Sequence, residues 1–325
     1  MPEKKTIVIA SYTSWYHSLG VSSYLAANQI KPDYSILIAN EFFDRTRSLD
    51  DTPLKHRLSD FTLVKSYGEI DMEVKRLPKN IKVYVLSTSA FPFRLTAALR
   101  KRSIPYELVV IEEGIGSYSS AFGLLKAKLR ESRLSLLRKI PFTITLIAKA
   151  TFKFLVFSNK KKCFWYNFER SGLSINKAVV DSYRDELRLW CTGGLNRNKS
   201  AKNYLRNCIL LVGAPLSELN LVSERIFIDG IKSAAPIHGK KYVKPHPIED
   251  ILKYNGSGFE IFSSDLPFEV LMGELDASVA IYSFSSTCCY TSYLFFCRKV
   301  CRVKDIDILY DKLSRRQKKI INMVS

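Results

Sequence analysis

No stretch of this chain is apolar for long enough to cross a bilayer as a helix, which takes about 20 residues. The longest greasy segment, Ile140–Ser158, is interrupted by Lys149 and Lys153. The start of the chain lacks the apolar core of a secretory leader: Met1-Pro2-Glu3-Lys4-Lys5 runs straight into a β-rich segment. That argues for a working face in the cytosol. No C-x-x-C pair occurs among the seven cysteines, and in the late group Cys288, Cys289, Cys297 and Cys301 the first two are adjacent. Buried thiols in a reducing compartment are expected, and no metal site. Zinc-finger spacing, RNP motifs and a helical basic region are all missing, so nucleic acid is not the expected partner. Neither a G-x-x-x-x-G-K-[ST] loop nor a G-x-S-x-G elbow is present. Internal repeats and low-complexity tracts are absent too. Acidic residues are the scarce charge, 31 against 50 Lys plus Arg. The resulting +19 suits an anionic partner, either a charged substrate or an acidic membrane surface.

What is present is a globular composition, 46% hydrophobic over 325 residues, enough for two domains. Apolar, β-rich runs at Thr6–Ser11, Tyr34–Ala39, Ile81–Leu86 and Tyr106–Ile111 predict strands. Val21–Ile30 and Phe93–Arg102 predict helices between them. The rhythm resumes later. Strands are expected at Cys208–Val212, Lys241–Lys244, Glu260–Phe262, Ser278–Tyr282 and Lys299–Val303. Helices are expected at Glu218–Ala234, Leu266–Leu275 and Thr287–Phe296. Alternation of this kind argues for an α/β fold with parallel sheets. The Gly-, Asn- and Ser-rich stretch Thr192–Ser200 is the natural linker, dividing the chain into domains at 1–194 and 195–325. Leu124–Lys139 and Ile140–Ser158, followed by Lys160-Lys161-Lys162, read as a basic amphipathic segment for an anionic membrane surface, or else as core helix with snorkelling lysines.

Three motifs fall where strands end, which is where α/β folds bind ligands. The first is Glu112-Glu113 with Gly114 and Gly116, two adjacent carboxylates on a turn. One acid can act as general base on a hydroxyl while the other holds the loop. The second is Lys244-Pro245-His246-Pro247, a histidine stiffened by prolines beside a cation. Such a ring can donate to a leaving phosphate, and Ile248-Glu249-Asp250 would begin a helix favouring an anion. The third is Ser283-Phe284-Ser285-Ser286-Thr287, hydroxyls at a helix start that can cradle phosphate. Taken singly, each also reads as an ordinary turn or cap. Weaker candidates are Gly213 at the end of a strand and the Thr13, Ser14, Tyr16, His17 stretch, which could meet sugar hydroxyls. Asp305-Ile306-Asp307 has a D-x-D form but is expected at the surface.

Together, Glu112-Glu113-Gly114, His246-Pro247 and Ser285-Ser286, in this order, resemble the acidic–acidic–Gly, His-Pro and Ser-Ser/Thr motifs of bacterial sialyltransferases. The stretch Ile111–Tyr118 looks closest to the lipooligosaccharide sialyltransferases of glycosyltransferase family 52 and the related polysialyltransferases. The resemblance implies a GT-B fold, with two Rossmann-like domains whose parallel sheets face a central cleft. It implies CMP-sialic acid as co-substrate, an inverting single displacement and no cofactor or metal. Carried over motif by motif, Glu112 would be the base, with Glu113 as the alternative. His246 would meet the departing CMP phosphate. Ser285 and Ser286 would hold that phosphate, with Thr287 a shifted register of the same motif, and Gly213, Lys244, Pro247 and Ser283 would line the donor side. The implied acceptor is a terminal galactose of a lipid-linked lipooligosaccharide or O-antigen glycan, with α2,3 linkage. Transfer in α2,8 linkage to a sialyl end, or of another ulosonic acid, is the enzymatic alternative. A non-catalytic scaffold of the same fold that binds glycan or membrane is the alternative of a different class. The implied location is the inner face of the cytoplasmic membrane, and a homo-oligomer is left open.

Overall fold

Residues that alternate in β-rich runs bury both faces of a parallel sheet, and the computed structural model of this protein realises that pattern twice. It describes residues 4–12, 15–39, 53–58, 60–87, 93–112, 141, 144–145, 161–169, 172–192, 205–234, 239–264 and 266–324. The chain divides into two compact units, Met1–Trp190 and Cys191–Ser325.

In the first unit, strands β1 (Lys5–Tyr12), β2 (Tyr34–Ala39), β3 (Phe61–Val64), β4 (Ile81–Ser87), β5 (Tyr106–Ile111) and β6 (Lys161–Cys163) form one parallel sheet. Its order is β3-β2-β1-β4-β5-β6. Successive side chains of one strand enter different cores, as period two requires. Ile7 and Ile9 pack on one face with Ile70, Val74, Leu95 and Leu99. These come from helices α2 (Tyr67–Arg76) and α3 (Phe93–Lys101). Val8 and Ala10 pack on the other face with Val21, Tyr24 and Leu25 of α1 (Trp15–Ala27). Helix α2 begins with a reciprocal cap: the Ser66 hydroxyl accepts from the Glu69 amide at 3.3 Å, while the Glu69 carboxylate accepts from the Lys65 amide at 2.8 Å. A hairpin of β7 (Tyr166–Glu169) and β8 (Gly172–Ile175) leads into α4 (Lys177–Thr192). Helix α1 needs its glycine, because a Cβ on Gly20 would overlap the Tyr183 hydroxyl of α4.

The second unit holds β9 (Cys208–Val212), β10 (Lys240–Lys244), β11 (Glu260–Ile261), β12 (Ala280–Ser283) and β13 (Cys301–Arg302), all parallel, in the order β11-β10-β9-β12-β13. Its core gathers Ile209, Leu211, Phe227, Ile231, Val243, Phe284 and Val303. Helices α5 (Glu224–Ala234), α6 (Phe268–Glu274), α7 (Thr287–Phe296), α8 (Ile308–Lys312) and α9 (Arg315–Val324) complete it. Both orders reverse direction beside the first strand of the unit, the doubly wound signature of a Rossmann-like fold.

Several expectations are corrected. Residues 216–222 are turns, and the helix expected from Glu218 begins only at Glu224. Lys161 and Lys162 belong to an edge strand rather than to the tail of an amphipathic segment. Cys191, Cys297 and Cys301 are exposed, whereas Cys163, Cys208, Cys288 and Cys289 are buried as expected. The basic segment at 124–158 lies outside the described residues except at 141, 144 and 145, and the linker expected at Thr192–Ser200 lies outside them beyond Thr192. Among the described residues no helix is long and apolar enough to cross a membrane.

Candidate active site

In the second unit, two of the three motifs and the weaker candidate Gly213 arrive at the same end of one sheet. Gly213 follows β9, the His-Pro turn follows β10, and Ser283–Thr287 follows β12. The strands β10, β9 and β12 are neighbours. The sheet order reverses between β9 and β12, so the crevice at a topological switch point lies among these loops. Ser283 ties two of them by donating from Oγ to the Val212 carbonyl at 3.4 Å.

His246 is exposed and its backbone is clamped. Its amide donates to Glu249 Oε2 at 2.5 Å, and its carbonyl accepts from the Glu249 amide at 2.9 Å. Its ring nitrogen Nδ1 accepts from the Ile248 amide at 3.4 Å, which leaves the ring proton on Nε2 as a donor. The imidazole titrates below the ordinary 6.5, because partial burial outweighs the raising influence of Glu249 and Glu218. No ordinary helix starts after the turn. Ile251–Tyr254 is a single 3-10 turn, and the chain's own Asp250 carboxylate caps it by accepting from the Leu252 amide at 2.9 Å, in the place expected for an anion. Lys244 points its ammonium to the Ser264 carbonyl at 2.6 Å, and Pro247 is exposed.

Behind His246 lies a group that the sequence reading missed. Glu249 accepts from the Tyr254 hydroxyl at 2.9 Å and pairs with the buried Lys253 ammonium at 2.7 Å. Lys253 also pairs with Glu218 at 3.0 Å and lies 4.2 Å from the Phe227 ring centroid. Glu218 accepts from the Asp250 amide at 3.0 Å. Partial burial raises the Glu218 pKa, but hydrogen bonds from its own amide, Lys253 and Asp250 bring it below the usual value. Gly213 is close to this group: a Cβ there would overlap the Glu249 carboxylate.

The serine turn divides its labour. Ser285 is buried and donates from both N and Oγ to Asp307 Oδ2, at 3.0 and 2.5 Å. The D-x-D is therefore only half at the surface: Asp305 is exposed, but Asp307 is buried and anchors the turn. Ser286 caps α7 without a side-chain bond to the helix. Its hydroxyl lies 2.7 Å from Cys288 Sγ, which is 2.9 Å from Ser283 Oγ. Ser286 and Thr287 are half-buried at the first turn of a ten-residue helix, where amides and dipole favour an anion.

In the first unit, Glu112 directly follows β5 and is 0% exposed. Its Oε2 accepts from the Trp165 amide at 2.8 Å, and its own amide donates to the Cys163 carbonyl at 3.2 Å. The Trp165 ring stands edge-on to Tyr16 and Tyr183, at 5.4 and 5.2 Å. Glu113, Gly114 and Gly116 lie outside the described residues. So do Thr13 and Ser14, while Tyr16 is half-buried and the expectation for His17 is corrected. Trp15, Tyr16 and His17 open α1, and His17 is wholly buried, its pKa pushed down to about 3 by that burial. A ring so placed is core, not a sugar contact.

The family model described as Alpha-2,8-polysialyltransferase (POLYST) matches residues 9–304, a span that takes in all three motifs. The chain belongs to this family. It is a glycosyltransferase of the sialyltransferase class, in agreement with the resemblance carried by its motifs. No curated protein matches the sialyltransferase chain. Among solved structures, the UDP-GlcNAc 2-epimerase from Methanocaldococcus jannaschii is similar at 13% identity with a TM-score of 0.51, covering 98% of this chain and 91% of that one. The GT-B domain of the sialyltransferase from Photobacterium damselae is similar at 12% identity with a TM-score of 0.43, covering 88% of each chain. At these identities the likeness concerns the fold, which is of the GT-B type.

Proposed function

We propose that this sialyltransferase moves sialic acid from CMP-sialic acid to a terminal galactose of a lipid-linked lipooligosaccharide or O-antigen glycan, in α2,3 linkage and with inversion. The observation that carries the reading is the convergence of His246 and the Ser283–Thr287 turn at one end of the sheet, in a chain of this family. The bond that breaks joins the anomeric carbon to a single phosphate, which leaves with the electron pair. Hydroxyls of Ser286 and Thr287, the start of α7 and Nε2–H of His246 can together meet that charge, so no metal is called for. Ser285 and Ser283 shape the turn from inside, because Asp307 already occupies the Ser285 hydroxyl.

The acceptor hydroxyl attacks the opposite face and loses its proton to a carboxylate. The buried Glu112, engaged by Trp165, suits the holding role, and the base is then Glu113. Glu113→Gln and His246→Ala should each lower turnover about 10²–10⁴-fold with folding retained. Equal losses for Glu112→Gln and Glu113→Gln would remove this division of roles.

A second reading is favoured by the family's description, in which the transferred residue joins a sialyl end in α2,8 linkage. A panel of galactose-terminated and sialyl-terminated acceptors with CMP-sialic acid separates the two. Product on galactose ends supports the first, and product on sialyl ends alone overturns it. The charge of +19 fits an enzyme working on a lipid-linked acceptor at the anionic inner face of the cytoplasmic membrane. Binding to anionic vesicles should weaken with salt, and equal binding to neutral vesicles would count against that placement.

A further inference from the structure

A buried lysine between two carboxylates is an expensive construction, justified only where its geometry does something. Here Lys253 lies between Glu218 and Glu249, at 3.0 and 2.7 Å. One cation and two anions leave this cluster with a net negative charge. Each member is tied to the loops around His246. Glu249 takes the His246 amide on one carboxylate oxygen and returns its own amide to the His246 carbonyl. Glu218 takes the amide of Asp250, at the far side of the same turn. Gly213, at the end of β9, leaves space for the Glu249 carboxylate and donates its amide to the Lys244 carbonyl at 2.9 Å. The cluster therefore spans the ends of β9 and β10 and grips the histidine from behind.

We infer that Glu218, Lys253 and Glu249 are positioning residues: they hold His246 toward the leaving phosphate and back its ring with negative charge while it carries the proton it shares with that phosphate. The inference rests on the donor-side role proposed for His246. Glu249 and Glu218 both favour the protonated ring, while Lys253 opposes it. An anionic leaving group arriving in front would then find a histidine already biased from the rear, much as an orienting carboxylate serves a catalytic imidazole. Glu218 is the member to change first, because its side chain is the most exposed of the three and its loss leaves the Lys253–Glu249 pair intact.

The test is a titration of His246 by NMR with histidine-labelled full-length protein, in wild type and in Glu218→Gln, each with and without CMP. H246Q assigns the signal among the four histidines. The expected result is a lower His246 pKa in Glu218→Gln than in wild type. The alkaline limb of the kcat profile should move the same way, kcat at pH 8 should fall about tenfold, and Glu218→Asp should restore most of it. Unaltered titration and an unaltered pH profile in Glu218→Gln would overturn the inference. So would a uniform loss of kcat with no change in profile, which is what a merely structural role would produce. A His246 signal that ignores CMP in wild type would instead overturn the donor-side role, whatever Glu218→Gln does.

Discussion

The two units hold their candidate catalytic groups by different physics. In the first, Glu112 is fully buried at the end of β5 and accepts from the Trp165 amide, and the Trp165 ring in turn stands edge-on to Tyr16 and Tyr183. In the second, His246 stands exposed and is gripped by an ionic cluster. A carboxylate that anchors a loop can be buried against a backbone amide, since its charge need not change. A histidine that exchanges a proton with a departing phosphate gains from nearby charges that respond to its own state. The difference is one of surroundings: a buried carboxylate on a backbone amide in one unit, and an exposed imidazole backed by a buried ion cluster in the other.

The largest expected effect breaks the ionic side. Lys253→Met leaves Glu218 and Glu249 uncompensated next to each other, at a cost of about 3–5 kcal/mol. Urea unfolding should register that loss, and a change under 1 kcal/mol would mean that the cluster is not a closed ionic unit. A second test uses acid. His17 stays neutral in the fold down to about pH 3, while the unfolded chain takes up a proton below 6.5. The His17 contribution to the first unit is thus fully present above pH 6.5, about 2 kcal/mol of it is lost by pH 5, and the loss grows until pH approaches 3. Glu218, whose pKa lies below 4.5 in the fold, gives the second unit stability that is lost only as pH falls beneath 4.5. The lowered His246 adds less, because that residue is exposed. Hydrogen exchange at pH 5 should accelerate in α1 before β9 and β10, and the reverse order would undo the comparison.

The smallest effect sharpens the side of the buried carboxylate. Glu112→Ala strands the buried Trp165 amide and should cost about 1–3 kcal/mol, whereas Glu112→Gln keeps an acceptor oxygen and should cost less. Equal costs, measured by the same unfolding experiment, would mean that the charge of Glu112 matters as much as its hydrogen bond.

Much of the fold was legible because its strands are continuous apolar runs with clear stops. Tyr34–Ala39, Tyr106–Ile111 after Pro105, Cys208–Val212 and the helix Thr287–Phe296 agree with expectation residue by residue. The short edge strands were hidden by their polarity, as at Lys161–Cys163. Helix α2 was missed although Ser66 and Glu69 carry the spacing of a reciprocal cap. Helix α4 was missed too, though Val180, Tyr183, Leu187 and Trp190 recur at helical intervals on its buried face. Of the candidate site, the strand-end motifs could be read because α/β folds concentrate function there. The Glu218–Lys253 pair could not, since its partners lie 35 residues apart and each alone looks like solvated charge. Asp307 was mistaken for surface because its partner Ser285 lies on a different loop.

That last contact reaches past the family likeness. The match ends at residue 304, yet the carboxylate latching the serine turn sits at 307. A shortened protein cut where the likeness stops would keep every recognisable motif and still release Ser285, leaving two buried donors with nothing to accept them. The tail beyond the match therefore helps to hold the serine turn in place, and a minimal version of this protein has to be drawn around the latch rather than around the motifs.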